Sequence, residues 1–333
     1  MTKAKKKILE YVIVLFVIFC LLVGGWVSLY FFSSENSDFE LGVHFSNEYA
    51  TYLGLNWRDA YVAILDELDL ETIRLAAPWD EIEPEKDFWA FGALDWQVEQ
   101  AANRDVDVIL AVGRRTPRWP ECHDPEWVKK LSPEIVVDRQ LKMIRKVIDR
   151  YKGYDNIKIW QVENEPMLDS FGECPPSDLN LLRKEVSFVK TLDKRPIMVT
   201  DSGELSFWLA AGNMGDYFGT TLYRVTYNKF LGYSFYHLPP LFYTIKAWLI
   251  GRDPGDVYVA ELQGEPWAPN GILETDIDEQ LVSMDALRLK SHIKYAKRTG
   301  FAGAYLWGAE WWYWLAVNGD DSLWQAAKTS FEK

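Results

Sequence analysis

Hydrophobic and polar positions follow two different patterns along this chain of 333 residues. Residues 11–32 form one apolar run without a charged side chain. From residue 41 onward, short runs rich in β-branched and aromatic residues alternate with longer segments, a pattern that predicts strands separated by helices. We predict eight strands: Leu41–Phe45, Thr72–Leu75, Val106–Val112, Ile157–Val162, Ile197–Thr200, Phe218–Tyr223, Val257–Leu262 and Ala304–Trp307.

The segments between these strands carry apolar residues at the 3.6-residue period of a helix. Such stripes are formed by Tyr61, Ile64, Leu65 and Leu68, by Leu141, Ile144, Val147, Ile148 and Tyr151, and by Leu182, Val186 and Val189. We expect Ser177 to be the N-cap of the third helix, because serine accepts backbone hydrogen bonds at that position.

Eight strands alternating with helices predict parallel βα units and one closed (β/α)8 barrel over residues 41–333. The alternative is an open doubly wound sheet. That fold usually has a glycine-rich phosphate turn after its first strand, and the sequence has none there. We therefore favour the closed barrel.

Residues 224–256 are an unusual connection, because they are rich in aromatic side chains and longer than a βα loop requires. We predict a helix over Leu241–Ile250. The first half has two open interpretations: a lid over a binding groove, or a loop packed on the barrel rim or facing a nearby membrane.

The apolar run at residues 11–32 is long enough to cross a bilayer core of about 30 Å. It is flanked by Lys3, Lys5, Lys6 and Lys7 before it and by Glu35, Asp38 and Glu40 after it. By the positive-inside rule, the N-terminus stays in the cytoplasm and the rest lies outside the cell membrane. A cleaved signal peptide is the alternative, but the run exceeds a usual signal core and no A-x-A-like site follows. We expect a single-pass protein with an uncleaved anchor over residues 1–32 and a linker over residues 33–40.

The chain has 36 basic and 49 acidic residues and a net charge of −13. Such a surface repels phosphate backbones, which argues against nucleic-acid binding. Four histidines without an H-x-H pair argue against a metal site, and we expect no cofactor. Because Cys20 lies in the apolar run, Cys122 and Cys174 are left as one pair in an oxidising compartment, and we predict a disulfide between them.

Two glutamates stand where predicted strands end. Glu165 follows the fourth strand, and Glu261 ends the seventh. In a (β/α)8 barrel, functional groups come from the carboxyl ends of strands, because the βα loops form the open face. Glycoside hydrolysis uses such a pair: a protonated carboxyl group donates to the leaving oxygen, and an ionised one attacks the anomeric carbon. The two strand-end glutamates are thus compatible with a glycosidase acting on an oligo- or polysaccharide.

The stretch WQVENEP resembles the Asn-Glu-Pro signature of the clan A glycoside hydrolases, a superfamily of (β/α)8 enzymes with cellulase-like, β-xylosidase-like and β-galactosidase-like members. Other stretches resemble the same clan in the same order: TIRLAAPWDEIEPEKDFWAFGALDW, VILAVGRRTPRWP, GTTLYR and AYLWG. The resemblance implies a retaining hydrolase of β-glycosidic bonds, with Glu165 as general acid/base and Glu261 as nucleophile. It also implies substrate-site roles for Arg74, Asn164, Tyr223 and Trp307.

Two further residues have open interpretations. His44 ends the first predicted strand and either lines the pocket or is a core histidine. Glu265 is a rival nucleophile in a Gly-Glu-Pro turn. Strand alternation puts Val257, Val259 and Glu261 on one face, which we expect to be the inward one, so we prefer Glu261.

Two other functions remain open. One is a non-catalytic carbohydrate sensor, although Glu165, Glu261 and Arg74 are all present. The other is a transglycosylase, which uses the same carboxyl pair but transfers the sugar to another sugar. Aromatic acceptor subsites would favour it, and the candidates are Trp119, Trp267, Trp311, Trp312 and Trp314.

Overall fold

The computed structural model describes residues 3–31 and 35–332. Residues 32–34, where the predicted span ends and the predicted linker begins, lie outside the described residues, as do residues 1–2 and 333. In the described part the strands are β1 (Glu40–His44), β2 (Thr72–Ala76), β3 (Asp107–Val112), β4 (Ile157–Val162), β5 (Ile197–Asp201), β6 (Tyr217–Leu222), β7 (Val225–Asn228), β8 (Gly232–Phe235), β9 (Val257–Gln263) and β10 (Gly303–Trp307). The helices are α1 (Lys3–Phe31), α2 (Asn47–Tyr52), α3 (Trp57–Glu67), α4 (Trp79–Ile82), α5 (Gly92–Ala102), α6 (Pro133–Tyr151), α7 (Leu179–Leu192), α8 (Pro240–Leu249), α9 (Ile277–Ser283), α10 (Ala286–Lys297), α11 (Ala309–Val317) and α12 (Ser322–Phe331).

Eight of these strands close into a parallel barrel in the order β1-β2-β3-β4-β5-β6-β9-β10. The predicted (β/α)8 barrel is confirmed, and each predicted strand boundary agrees within one residue. The agreement is close because parallel strands are buried on both faces and therefore read as short continuous apolar runs.

The three predicted apolar stripes lie on α3, α6 and α7 and face the core. The prediction that Ser177 caps the third helix is wrong. Asp178 is the N-cap, and its carboxylate accepts from the backbone N–H groups of Asn180 and Leu181 at 2.8 and 3.2 Å. Ser177 instead donates to the carboxylate of Asp169. A carboxylate at the N-cap also gains from the positive end of the helix dipole.

Apolar side chains fill both faces of the barrel wall. The interior layer consists of Ile109, Ile159, Met198, Tyr258, Ala260 and Tyr305. The larger outer layer lies between the strands and the helices. Because the interior is filled, a ligand can enter only at the end where the βα loops spread apart.

The aromatic segment between β6 and β9 forms an antiparallel hairpin, β7–β8, followed by α8. Helix α8 matches the predicted Leu241–Ile250 with a one-residue shift. Three residues of the hairpin, Thr226, Tyr227 and Asn228, line the cavity described below, so the first half of the segment is part of a cavity wall.

Helix α1 is long and apolar enough to cross a membrane over Tyr11–Tyr30, with a mean hydropathy of 2.8. A signal sequence at this position would have the same properties. The last turn of α1 contacts the barrel: the Tyr30 hydroxyl donates to the backbone carbonyl of His237, and Arg298 donates to the carbonyl of Tyr30.

Candidate active site

A cavity of about 770 Å³ opens at the carboxyl ends of the barrel strands. This volume is typical of small-ligand sites. Three buried glutamates and a ring of aromatic residues line it: Glu121, Glu165 and Glu261, with Tyr49, Trp119, Phe171, Tyr223, Tyr227, Trp267 and Trp307. A pocket with carboxyl groups and flat apolar walls suits a sugar, because the faces of a sugar ring are apolar and its edges are polar.

Backbone geometry after β4 directs two neighbouring glutamates to opposite sides. Glu163 and Glu165 have positive φ angles of 60° and 43°, a region that non-glycine residues seldom occupy and that is frequent at functional sites. Glu163 accepts from the backbone N–H groups of Arg114 and Arg115 at 2.7 Å each. Glu165 reaches the cavity and accepts from the Thr221 hydroxyl at 3.3 Å.

The Glu165 carboxyl group is held in a way that favours its protonated form. Burial raises the pKa of Glu165 well above its usual range, and the charges of Glu261 and Glu121 raise it further. A carboxyl group with a raised pKa keeps its proton at neutral pH and can donate it.

The face on which Glu261 lies differs from the expectation. Val257 and Val259 pack in the outer core, whereas Tyr258 and Ala260 fill the barrel interior. The prediction that Val257, Val259 and Glu261 share the inward face is therefore wrong, although Glu261 does line the cavity.

A β-bulge in β9 explains this outcome. Thr220 of β6 pairs with Val259, but the next residue, Thr221, pairs with Glu261, so Ala260 is the extra residue. A bulge shifts the two-residue alternation of a strand by one position. Ala260 and Glu261 consequently both face the barrel axis.

Both oxygens of the Glu261 carboxylate accept hydrogen bonds. Arg74 Nη1 donates to Oε1 at 3.3 Å, and the Tyr223 hydroxyl donates to Oε2 at 3.1 Å. Two donors on opposite oxygens fix the direction of the Glu261 carboxylate.

Arg74 is the centre of a buried network under the cavity floor. Its Nε donates to Gln161 Oε1 and its Nη2 donates to Asn164 Oδ1, both at 2.8 Å. The Asn164 amide in turn donates to Glu121 Oε2 at 3.0 Å. Arg74 and Asn164 thus lie behind the cavity lining, where they orient Glu261 and Glu121.

Glu121 is a site residue that the sequence did not indicate. It lies in the loop after β3, is only 4% exposed, and lines the cavity beside Glu165. Burial and the charge of Glu261 raise the pKa of Glu121 to about 8. The one available signal was its position in a loop after a strand end, which many loop residues share.

The rival Glu265 also lines the cavity, in a second ionic group. Its Oε1 accepts from Trp307 Nε1 at 2.7 Å and from Arg118 Nη1 at 2.5 Å. Arg118 also contacts Glu310 at 3.4 Å. Glu265 approaches Gly308 so closely that a Cβ on Gly308 would lie 2.4 Å from the Cβ of Glu265, so glycine is required there.

Trp307 forms part of the cavity wall, and its ring packs against two charged or titratable groups. The Arg118 guanidinium lies 4.0 Å from the ring centroid. His44 stacks against the ring at 4.7 Å with an angle of 12° between the planes. His44 itself is completely buried and does not line the cavity, so it supports Trp307. Burial, with the positive charges of Arg74 and Arg118, lowers the pKa of His44 well below its usual range.

The predicted disulfide between Cys122 and Cys174 is confirmed, with Cα atoms 5.2 Å apart. It joins the loop after β3 to the loop after β4. The β3 loop carries Trp119 and Glu121, so the bond fixes one wall of the cavity.

The five tryptophans considered as acceptor subsites separate into two groups. Trp119 and Trp267 line the cavity, and Trp119 is 58% exposed. Trp311 and Trp312 are completely buried, and Trp314 packs against the core, so the expectation is wrong for these three.

Comparison with known proteins agrees with this architecture. A family model described as "Beta-galactosidase" (Glyco_hydro_42) matches residues 56–141. Beta-galactosidase BgaA of Clostridium cellulovorans is 23% identical over 234 residues, which are 57% of this chain and 34% of that protein. The chain therefore spans about a third of the length of this curated relative.

Three solved structures share the fold. Xylanase 10B from Thermotoga maritima has a TM-score of 0.53 at 17% identity, covering 81% of this chain and 83% of that one. A GH5_18 protein from Bifidobacterium longum subsp. infantis has a TM-score of 0.58 at 12% identity, covering 81% and 69%. The β-galactosidase from Halorubrum lacusprofundi has a TM-score of 0.52 at 14% identity, covering 80% and 52%.

The chain has the (β/α)8 fold of the clan A glycoside hydrolases. On this clan A fold, the range matched by the β-galactosidase model contains Arg74, Arg118 and Glu121 and ends before Glu165. The family model does not reach the cavity residues in or after β4, β6, β9 and β10. Their assignment to the site therefore depends on the geometry described above.

Proposed function

We propose that this chain is a retaining glycoside hydrolase that cleaves β-glycosidic bonds, with Glu165 as acid/base and Glu261 as nucleophile. The observation that carries the proposal is the contrast between two carboxyl groups of one cavity. Burial favours the protonated form of Glu165, whereas Arg74 and Tyr223 donate hydrogen bonds to both oxygens of Glu261. A carboxyl group that keeps its proton suits the general acid, and a carboxylate fixed by donors on both oxygens suits the nucleophile.

In the first step, a carboxylate oxygen of Glu261 attacks the anomeric carbon and the bond to the glycosidic oxygen breaks. The proton of Glu165 moves to that oxygen, so the leaving group departs as a neutral alcohol. The product is a glycosyl ester of Glu261, and Glu165 becomes a carboxylate.

In the second step, Glu165 acts as a base. Its carboxylate takes a proton from water, the water oxygen attacks the anomeric carbon, and the ester bond to Glu261 breaks. Both carboxyl groups return to their starting states, and two inversions give net retention of configuration.

Other cavity residues support these steps. The hydroxyl of Tyr223 and the guanidinium of Arg74 hold Glu261 in one orientation, which reduces the reorganisation needed in the transition state. Trp307 offers an aromatic wall for a sugar ring, and the carboxylate of Glu265 beside it can accept from sugar hydroxyls.

The rival assignment of Glu265 as nucleophile is less favourable. Its Oε1 is shared between Arg118 and the indole N–H of Trp307, and Glu265 lies after the end of β9. A carboxylate oxygen engaged in a close ion pair is a weaker nucleophile than one held at 3.3 Å from its donor.

Azide rescue separates the two assignments. Turnover of aryl β-glycosides, beginning with a β-galactoside because of the matched family model, should be abolished in Glu261→Ala and partly restored by azide. The restored product should be a glycosyl azide of inverted configuration. If Glu265→Ala gives this product and Glu261→Ala stays active, the assignment is wrong. If the wild-type chain turns over no β-glycoside and azide rescues no variant, the chain is better explained as a carbohydrate sensor than as a hydrolase.

Transglycosylation is a second candidate because two tryptophans, Trp119 and Trp267, stand in the cavity wall where an acceptor sugar could stack. The ratio of transfer product to free sugar at rising acceptor concentration measures it. A ratio that stays near zero supports hydrolysis alone.

We also infer that α1 anchors the chain in the cell membrane, with the barrel outside the cytoplasm. The apolar span Tyr11–Tyr30 and the four lysines before it support this orientation. Release of the barrel into the soluble fraction after alkaline washing of membranes would contradict it.

A further inference from the structure

One part of the helical layer around the barrel is missing. Residues 202–216, which connect β5 to β6, are all described and contain turns instead of a helix. The segment still packs on the barrel, because Trp208 is completely buried against Phe218 and Phe301. Its other side faces outward.

Five large apolar side chains are exposed on this side. They are Leu205, Phe207 and Leu209 of the irregular segment and Trp248 and Leu249 at the end of α8, with exposed fractions of 65, 83, 78, 56 and 75%. We call this surface the α8 apolar face. Soluble surfaces seldom expose so many neighbouring apolar groups unless they meet a partner or a membrane.

Hydrogen bonds hold the two parts of the α8 apolar face side by side. Lys246 Nζ of α8 donates to the carbonyl of Ser206 at 2.6 Å. Asn213 Nδ2 donates to the carbonyl of Ile250 at the end of α8, also at 2.6 Å. The irregular segment therefore follows α8 from Lys246 to Ile250. Along the chain, four of the exposed side chains lie between these two contacts, and the fifth, Leu205, comes directly before Ser206.

The α8 apolar face is next to the apolar helix α1. Helix α1 packs against α8, and its Tyr30 is bonded to His237, just before α8, and to Arg298. The rest of the span extends away from the barrel, since its residues from Tyr11 to Val27 are exposed where described. A bilayer that surrounds this span would begin close to Tyr30 and thus close to α8.

We propose that the α8 apolar face lies in the lipid–water boundary of the membrane that α1 crosses, so that the barrel rests on the bilayer by this side. The proposal rests on the membrane span inferred above and is independent of the glycosidase assignment. Tryptophan, phenylalanine and leucine are the residues by which interfacial elements enter the headgroup region. Residues 32–39 alone connect α1 to β1, and eight residues reach at most about 28 Å, so the barrel cannot move far from the lipid.

In this orientation, one side of the cavity lies near the membrane. Leu205 belongs to the α8 apolar face and also lines the cavity. The rim of the cavity on the β5 side therefore lies beside the lipid headgroups, and glycans close to the membrane surface reach it along the shortest path.

The test uses the full chain in phosphatidylcholine–phosphatidylglycerol vesicles that contain a nitroxide-labelled lipid. A fluorescent NBD group is attached to single cysteines, with the disulfide of Cys122 and Cys174 left oxidised. The first labelled chain is the wild type, which carries the probe at Cys20 within the span. The other three carry Cys20→Ser together with Phe207→Cys, Leu249→Cys or Phe88→Cys, and each has the probe at the new cysteine. Phe88 is the matched control, because it is 58% exposed and follows β2, on the side of the barrel opposite β6.

We expect lipid nitroxide to quench the probes at positions 207 and 249 about twofold or more, and the probe at position 88 hardly at all, as for groups inserted in the headgroup region. Quenching at position 20 with none at positions 207 and 249 overturns the α8 proposal and leaves the span intact. No quenching at position 20 overturns the span and the α8 proposal with it. If the probe at position 207 becomes shielded from water only as the number of chains per vesicle rises, the face contacts a second copy of the chain. This result also overturns the proposal.

Folding and activity are checked separately. Each labelled chain is compared with wild type by thermal unfolding and by turnover of the aryl β-glycoside. Phe207 and Leu249 are exposed and lie outside the catalytic pair, so both measurements should stay unchanged while the quenching differs. Two independent positions keep the test decisive if one variant folds poorly.

Discussion

At the scale of residues, two glutamates of the cavity, Glu165 and Glu261, have different surroundings. Glu165 is buried near two other carboxyl groups, which raises its pKa, while Glu261 is held by a guanidinium and a phenol. The neighbouring Glu121 has its pKa raised to about 8 for the same reasons as Glu165. The charge of Glu261 thus helps to raise the pKa values of both Glu165 and Glu121, and the pH dependence of activity should report this effect.

The first prediction concerns that pH dependence. A general acid must carry its proton, so activity should fall as pH rises through the raised pKa of Glu165, and the enzyme should stay active at neutral pH. Glu165→Gln should lower kcat/KM about 10²- to 10⁴-fold and remove this alkaline limb. The measurement is kcat/KM against pH with a nitrophenyl β-glycoside, and a dinitrophenyl substrate, which needs no acid, is the control. An alkaline limb that persists in Glu165→Gln would assign it to another group.

The second prediction concerns Arg74. Arg74→Lys keeps the charge but cannot donate in the fork geometry to Gln161, Asn164 and Glu261 at once. Loss of one charge-assisted hydrogen bond costs about 1.5–3 kcal/mol, so kcat/KM should fall roughly 10- to 100-fold. Arg58→Lys, at an exposed position of α3, is the matched control and should leave kcat/KM unchanged. Equal values for both variants would show that Arg74 has no part in orienting Glu261.

At the scale of elements, the site depends on irregularities in a regular barrel. The bulge in β9 brings Glu261 inward, and left-handed backbone after β4 separates Glu163 from Glu165. The loop after β3 contributes Glu121, and the disulfide to Cys174 holds that loop. These features lie at the open end of the barrel, because the filled interior constrains the strands below it.

The third prediction concerns the disulfide. The two cysteines are 52 residues apart, and in the chain-entropy model a cross-link of this length stabilises by about 4 kcal/mol. Replacing both Cys122 and Cys174 by alanine should lower the free energy of unfolding by this order and raise KM, because Trp119 and Glu121 lose their fixed position. Denaturant unfolding and steady-state kinetics measure the two effects. Cys20→Ser, which removes the free cysteine of the described chain, should change neither.

At the scale of the whole molecule, the barrel is complete without α1. The barrel strands begin at Glu40, and all cavity residues follow β1. Helix α1 touches the barrel through its last turn, at Tyr30. The proposed catalytic residues and the proposed membrane span therefore lie in separate parts of the chain.

The fourth prediction follows from this separation. A chain that begins at Glu35 should remain soluble and keep the full kcat/KM, with a change in the free energy of unfolding within about 1 kcal/mol for the lost contacts of Tyr30. It keeps Asn36, which donates to the carbonyl of Phe301 at 2.9 Å. Kinetics and thermal unfolding, compared with the detergent-solubilised full chain, provide the check. A folded but inactive shortened chain would mean that α1 takes part in the site.

The sequence alone determined the eight barrel strands, the site of Glu165 at a strand end, the cysteine pair and the apolar span, because each depends on a local pattern or on composition. Tertiary structure decided the rest. Whether Glu261 faces inward depends on its pairing with β6, 40 residues earlier at Thr221, and a bulge there puts Glu261 inward although Val257 and Val259 face the outer core. His44, Trp311 and Trp312 were placed in the core by packing against distant elements. Glu121 became a site residue, with its raised pKa, through burial beside Glu261, and burial and charge are sums over neighbours that the folded chain alone brings together.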